Sequence, residues 1–190
     1  MKIGLFFGSF NPVHSGHMII ANHVANWSDL DQVWLVVTPL NPFKKSSNLA
    51  PDYERLHMVH LAIGNNPQLR ACDIEFRLPK PSFTVDTLAH LREKYPQHIF
   101  TLIMGGDNLQ SFHKWKNHDV ILKHHNIMVY KRPDYILGDF QDDLRIQVVE
   151  APLMEISSSF IRKSIRQNKS VQYLVPDAVW KYLDSNLVYV

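Results

Sequence analysis

Six short apolar runs, at residues 3–7, 33–38, 71–76, 99–104, 127–130 and 146–149, alternate with stretches whose apolar residues recur at helical spacing. Each run is short enough for a strand and apolar enough to be covered on both faces. The helical stretches occupy 17–27, 52–63, 85–94 and 115–124; in the second, Leu56, Val59 and Ile63 fall on one stripe. Strands alternating with helices of this length spell βαβ units, so the chain is expected to form an α/β fold with a doubly wound parallel sheet and helices on both faces. The tail breaks the rhythm. Residues 157–167 and 176–186 read as two consecutive helices, the second opened by Pro176 at a first-turn position. They are expected to pack across one side of the sheet, as the C-terminal helical part (about 157–190) of a single domain spanning 1–190.

Composition narrows the partners. Twenty Lys and Arg against 18 Asp and Glu leave a net charge of +2, too weak a field to recruit a nucleic acid or a membrane surface, so anion binding must be local. No run approaches the roughly 18 apolar residues of a membrane span, and the first apolar stretch is too short for a signal-peptide core. The cytoplasm is the expected compartment. The single cysteine, Cys72, excludes an internal disulfide, fits a reducing compartment and reads as a small buried residue at a strand.

In a doubly wound sheet, ligands bind beyond the carboxyl ends of the strands, and the stretch GSFNPVHSGH at 8–17 lies at such an end. Gly8, lacking a Cβ, permits a tight turn or the close approach of a ligand. Pro12 fixes a bend, and the helix that follows offers first-turn N–H groups and a partial positive charge to an anion. His14 and His17, three residues apart, share a face if both lie on that first turn. A metal pair would need further ligands, and none stands at a familiar spacing. Solvated or capping imidazoles remain an alternative. Together with Gly8, Pro12 and Gly16, the pair favours imidazoles donating hydrogen bonds to phosphate oxygens.

Near the other end, ISSSFIRKSIR at 156–166 supplies serine hydroxyls at a helix start and Arg162, whose planar fork suits phosphate. A plain helix cap with a surface arginine is the alternative for this segment taken alone.

GSFNPVHSGH resembles the G-x-F-[DN]-P-x-H-x-G-H signature of the Rossmann-like nucleotidyltransferases, and ISSSFIR resembles their second signature. The middle resembles the bacterial nicotinate-mononucleotide adenylyltransferases in TPLNPFKK (38–45), PSFTVDTL (81–88), GGDNLQSFHKWKNHDVIL (105–122) and YKRPDY (130–135). The resemblance covers most of the chain. It implies His14, His17 and Arg162 as catalytic residues, and an ATP site drawn from Gly8, Ser9, Phe10, His14, Gly16, His17, Gly105, Asp107, Ile156, Ser157, Ser158 and Arg162. It further implies a mononucleotide site drawn from Thr38, Asn41, Lys44, Thr84, Trp115 and Arg132, with Mg²⁺ entering on ATP, no metal ligands of the protein's own, and a possible homo-oligomer.

These residue types suit those roles. Trp115 offers a flat surface for a pyridine ring, and Thr84 a hydroxyl for a ribose or carboxylate oxygen. Asp107, after Gly105 and Gly106, either accepts ribose hydroxyls, meets Mg²⁺ through water, or caps the helix starting at Asn108. Lys44 and Arg132 either neutralise the mononucleotide phosphate or are solvated surface charges. Three positions depart from the family pattern: Phe7 stands for a glycine, Ser159 for a threonine, and Phe43 for a histidine in a Pro-His-Lys loop. The implied reaction is adenylyl transfer from ATP to nicotinate mononucleotide. The alternatives are a sibling acting on phosphopantetheine or an alcohol phosphate, and a nucleotide sensor without turnover.

Overall fold

In a computed structural model that describes residues 1–42, 49–131, 140 and 143–189, the apolar runs become strands of one sheet. Among the described residues these are β1 (Lys2–Gly8), β2 (Gln32–Val37), β3 (Leu69–Cys72), β4 (Ile99–Gly105), β5 (Asn126–Tyr130) and β6 (Ile146–Val149). Their order is β3-β2-β1-β4-β5-β6, with every neighbouring pair parallel. The chain thus begins at the centre, winds to one edge, returns and winds to the other. Strand order reverses between β1 and β4, so a crevice opens beyond their carboxyl ends. The expected Rossmann-like architecture is the one observed.

Side-chain alternation along the strands builds a core on each face. Phe6, Val33, Leu35, Val37, Ile103 and Met128 point to one side and bury against α1 (Ser15–Trp27) and α2 (Asp52–Ile63). Leu5, Trp34, Val36, Leu102, Met104 and Val129 point to the other, against α3 (Thr84–Lys94), Leu109 of α4 (Gly106–Gln110) and Ile121 of α5 (His118–His124). The tail helices, α6 (Ser158–Arg166) and α7 (Asp177–Asn186), add Ile161, Val179 and Leu183 to the first core. They pack on one side of the sheet, as expected. Full burial of each such aliphatic side chain contributes about 1.5–3 kcal/mol, so these residues tie the tail to the core.

Three boundaries differ from the sequence reading. The third strand ends at Cys72, and residues 74–77 form a 3₁₀ turn; Ile74 and Phe76 are apolar because they meet the core from that turn, which periodicity over so few residues does not separate from a strand. The stretch at 115–124 is helical only from His118, because Asn117 adopts a left-handed φ of 50° and breaks the run. Pro176 is the N-cap of α7 rather than a residue of its first turn.

Cys72 is buried, and burial pushes its thiol up to about 11. A thiol-specific chromogenic reagent at pH 8 is expected to titrate one thiol at once in urea and only slowly in buffer; equally fast labelling in both would show the site to be open. No helix among the described residues is long and apolar enough to cross a membrane.

Candidate active site

The turn that leaves β1 is packed too tightly for side chains where glycines stand. A Cβ on Gly8 would sit 2.8 Å from the Phe10 ring, and one on Gly16 would meet the His14 ring at 3.2 Å. Phe10 takes a left-handed φ of 44°, and its buried ring lies edge-on to Phe6 at 5.9 Å and to His17 at 5.0 Å. Its side chain props up a histidine. His14 is the N-cap of α1 and His17 its third residue, so the two do not share the first turn but bracket it. Their rings stack 3.6 Å apart. The His14 backbone N–H donates to His17 Nδ1 at 3.3 Å, which places the proton of a neutral His17 on Nε2. The first N–H of α1 is already used: Ser15 donates to the Leu174 carbonyl at 3.0 Å. Side chains rather than that amide are therefore the donors this helix end presents.

The second signature docks on the first. Ser157 is the N-cap of α6, accepting from the Phe160 N–H. Ser158 Oγ donates to the Pro12 carbonyl at 2.9 Å across 146 residues of sequence, and Arg162 Nη1 donates to the Asn11 carbonyl at 2.7 Å across 151. Arg162 Nη2 reaches Ser159 Oγ, while its buried Nε has no acceptor among the described residues. Two contacts anchor the guanidinium and leave donors for an anion. Tyr189 Oη also donates to Asn11 Oδ1, at 2.8 Å. Ile156 is half-buried and packs on the core beside α6.

A cavity of about 210 Å³ lies beyond the carboxyl ends of β1 and β4, where strand order reverses. Gly8, Ser9, Thr38, Asn41, Thr84, Gly105, Asp107 and Trp115 line it. Eight sequence-predicted residues thus converge from five segments. Thr84 is there because it opens α3, and Trp115 because it closes a short 3₁₀ turn, its ring set edge-on to Phe112 at 5.6 Å. Asp107 is the second residue of α4, whose N-cap is Gly105, so the capping role is not its own. His14, His17, Ser157, Ser158 and Arg162 stand outside this lining and connect to it through Gly8 and Ser9. Lys44 and Arg132 lie outside the described residues.

Sequence reasoning missed two buried ionisable residues. Arg55, fully buried in α2, donates from Nε to the Ala50 carbonyl, from Nη1 to those of Ser9 (2.5 Å) and Thr38 (2.8 Å), and from Nη2 to that of Pro39 and to Asp52 Oδ1 (2.6 Å). It ties the turn after β1 to the loop after β2. The sequence places Arg55 beside the Leu56–Val59 stripe and three residues after Asp52, but nothing in it shows which loop carbonyls turn toward the guanidinium. Glu75, in the 3₁₀ turn, is buried at the cavity wall; reading 71–76 as a strand concealed it.

The cytidylyltransferase-like family model matches residues 5–164. A protein of Flavobacterium psychrophilum named "Probable nicotinate-nucleotide adenylyltransferase" is 56% identical over 191 residues, covering 100% of this chain and 99% of its own. One of the same name from Cytophaga hutchinsonii is 53% identical over 189 residues, covering 100% and 98%. The Plasmodium falciparum nicotinic acid mononucleotide adenylyltransferase, solved in complex with NaAD, superposes with a TM-score of 0.83 at 18% identity, over 99% of this chain and 97% of that one; at that identity it speaks to the fold. With both signatures in contact and relatives matching from end to end, the chain belongs to the cytidylyltransferase-like family and, within it, to the nicotinate-nucleotide adenylyltransferases.

Proposed function

We propose that this chain transfers the adenylyl group of ATP to nicotinate mononucleotide, releasing nicotinate adenine dinucleotide and pyrophosphate, a step of NAD biosynthesis. One observation carries the reading: the docked pair of signatures, with its imidazoles and guanidinium, abuts through Gly8 and Ser9 a cavity walled by Trp115 and Thr84. A triphosphate and a pyridine mononucleotide then have adjoining places, so the 5′-phosphate of one can approach the α-phosphorus of the other.

The chemistry asks little of the protein by way of proton transfer. A phosphate monoester has a second pKa of about 6 and is largely ionised at neutral pH, so the nucleophile needs no general base. An oxygen of the mononucleotide phosphate bonds to the α-phosphorus as the bond to the bridging oxygen breaks, and pyrophosphate leaves with that electron pair. What remains is alignment, which supplies roughly 7–11 kcal/mol, and stabilisation of charge spreading onto the α-phosphate and the leaving group. In this reading His14 and Arg162 meet that charge, and His17 with Ser157 and Ser158 holds the triphosphate. Trp115 stacks on the pyridine ring. In this reading magnesium arrives as part of the nucleotide substrate, and Asp107 at the cavity wall suits an ion that keeps its waters. On the phosphates it would neutralise charge.

The chain is incubated with ATP, Mg²⁺ and either nicotinate mononucleotide or 4′-phosphopantetheine, and pyrophosphate is assayed. Release with the first alone is expected. Release with the second would reassign the acceptor, and tight ATP binding with no release from any phosphorylated acceptor would make the chain a sensor.

A further inference from the structure

The buried carboxyl of Glu75 has no part in the chemistry above, yet it stands in the cavity wall. It is 1% exposed. Thr87 Oγ1, in the first turn of α3, donates to its Oε1 at 2.7 Å in a bond that is itself buried. The Thr38 and Ser82 hydroxyls interact with the same carboxyl, although neither Oε2 nor Ser82 Oγ completes a hydrogen bond of good geometry within the described residues. Three segments therefore meet at one side chain: the end of β2, the approach to α3, and α3 itself. Each carries a wall of the cavity, through Thr38 and Asn41, through Ser82 and Phe83, and through Thr84. By contrast, His14, Ser158 and Arg162 are held by contacts around Asn11, Pro12 and His17.

Building on the proposed function, we infer that Glu75 is a positioning residue of the mononucleotide half of the site, fixing Thr38 and the 82–84 segment at the distance a pyridine nucleotide requires. A buried carboxyl whose neighbours are hydroxyls rather than cations is favourable here only if its oxygens are spent on them. Burial pushes its pKa above the usual carboxylate range, with the Thr87, Thr38 and Ser82 hydroxyls offsetting part of that rise. A glutamine at this position keeps the side chain's length and one acceptor oxygen, and a leucine keeps neither acceptor.

The test measures steady-state kinetics for both substrates in Glu75→Gln, Glu75→Leu and Thr87→Val, with melting temperatures alongside. Glu75→Leu is expected to raise KM for nicotinate mononucleotide about tenfold or more while KM for ATP moves less than about threefold, in keeping with the sensitivity of bound geometry to small displacements. Glu75→Gln, which keeps one acceptor oxygen at the same reach, should stay within about threefold of the native value, and Thr87→Val should shift the same KM in the same direction by a smaller factor than Glu75→Leu. If Glu75→Leu fails to fold, the Gln and Val variants decide. An unchanged mononucleotide KM, an equal rise for both substrates, or a Gln variant as impaired as Leu overturns the assignment. A wild-type chain that turns over ATP with another acceptor but not with nicotinate mononucleotide would instead overturn the functional reading, and this assignment would fall with it.

Discussion

Replacing His14 by alanine is expected to lower kcat by about 10²- to 10³-fold, the loss seen when one preorganised donor to developing charge is removed, while KM for ATP stays within a few-fold. The ring is 7% exposed, stacked on His17 and flanked by Gly16. It is held in place before substrate arrives, so little reorganisation accompanies reaction. A bond that strengthens as charge gathers on the α-phosphate acts on the transition state more than on bound ATP. His17→Ala should behave differently, raising KM for ATP, because in the proposed reading that residue holds the triphosphate, its ring set by the bond to Nδ1. Equal losses in ATP affinity and turnover for His14→Ala would reduce that residue to a substrate holder. A melting temperature measured alongside separates both outcomes from a collapsed turn.

Arg55→Met is expected to cost about 3–5 kcal/mol, as for a buried ion pair robbed of one partner. For a chain of this length that is a fall in Tm of roughly 10 °C or more. The guanidinium satisfies four backbone carbonyls and a carboxylate at once, and methionine fills the volume while leaving all of them without that donor. Asp52→Asn should cost far less, since those carbonyls keep their partner. The Asp52 carboxyl adds an acid limb. Burial alone would raise its pKa, but hydrogen bonds from Lys80 and Arg55 hold it below 3.8. That contribution is complete above 3.8 and disappears as pH falls through the lower native value, so wild type should lose stability in acid more steeply than Asp52→Asn. Urea unfolding at pH 7 and pH 3 checks both expectations. A variant at Arg55 as stable as wild type would show that the loops after β1 and β2 hold themselves.

Both predictions turn on residues of different legibility. His14, His17 and Arg162 were picked out by two segments that resemble the nucleotidyltransferase signatures, and the structure brings those segments into contact. The sheet was readable from pattern alone: six apolar runs with helices between them admit few other arrangements. Arg55 was not, because its importance lies in which carbonyls two loops turn inward, and loops carry no period. Glu75 was hidden by a wrong extension of β3, since an apolar pair at positions 74 and 76 fits a strand and a 3₁₀ turn equally well. Asn117 set the limit of the helix at 115–124: a left-handed residue is a backbone event to which asparagine is only predisposed.

The bonds from Ser158 and Arg162 to Pro12 and Asn11, with Leu174 closing the first helix, also set when the enzyme comes into being. A ribosome delivers residues 8–17 well before 156–166, so the nascent polypeptide carries the histidines through all the synthesis between them without a nucleotide pocket to put them in. Prematurely terminated products lacking the final helices should accordingly be inert toward ATP, however much of the sheet they have assembled.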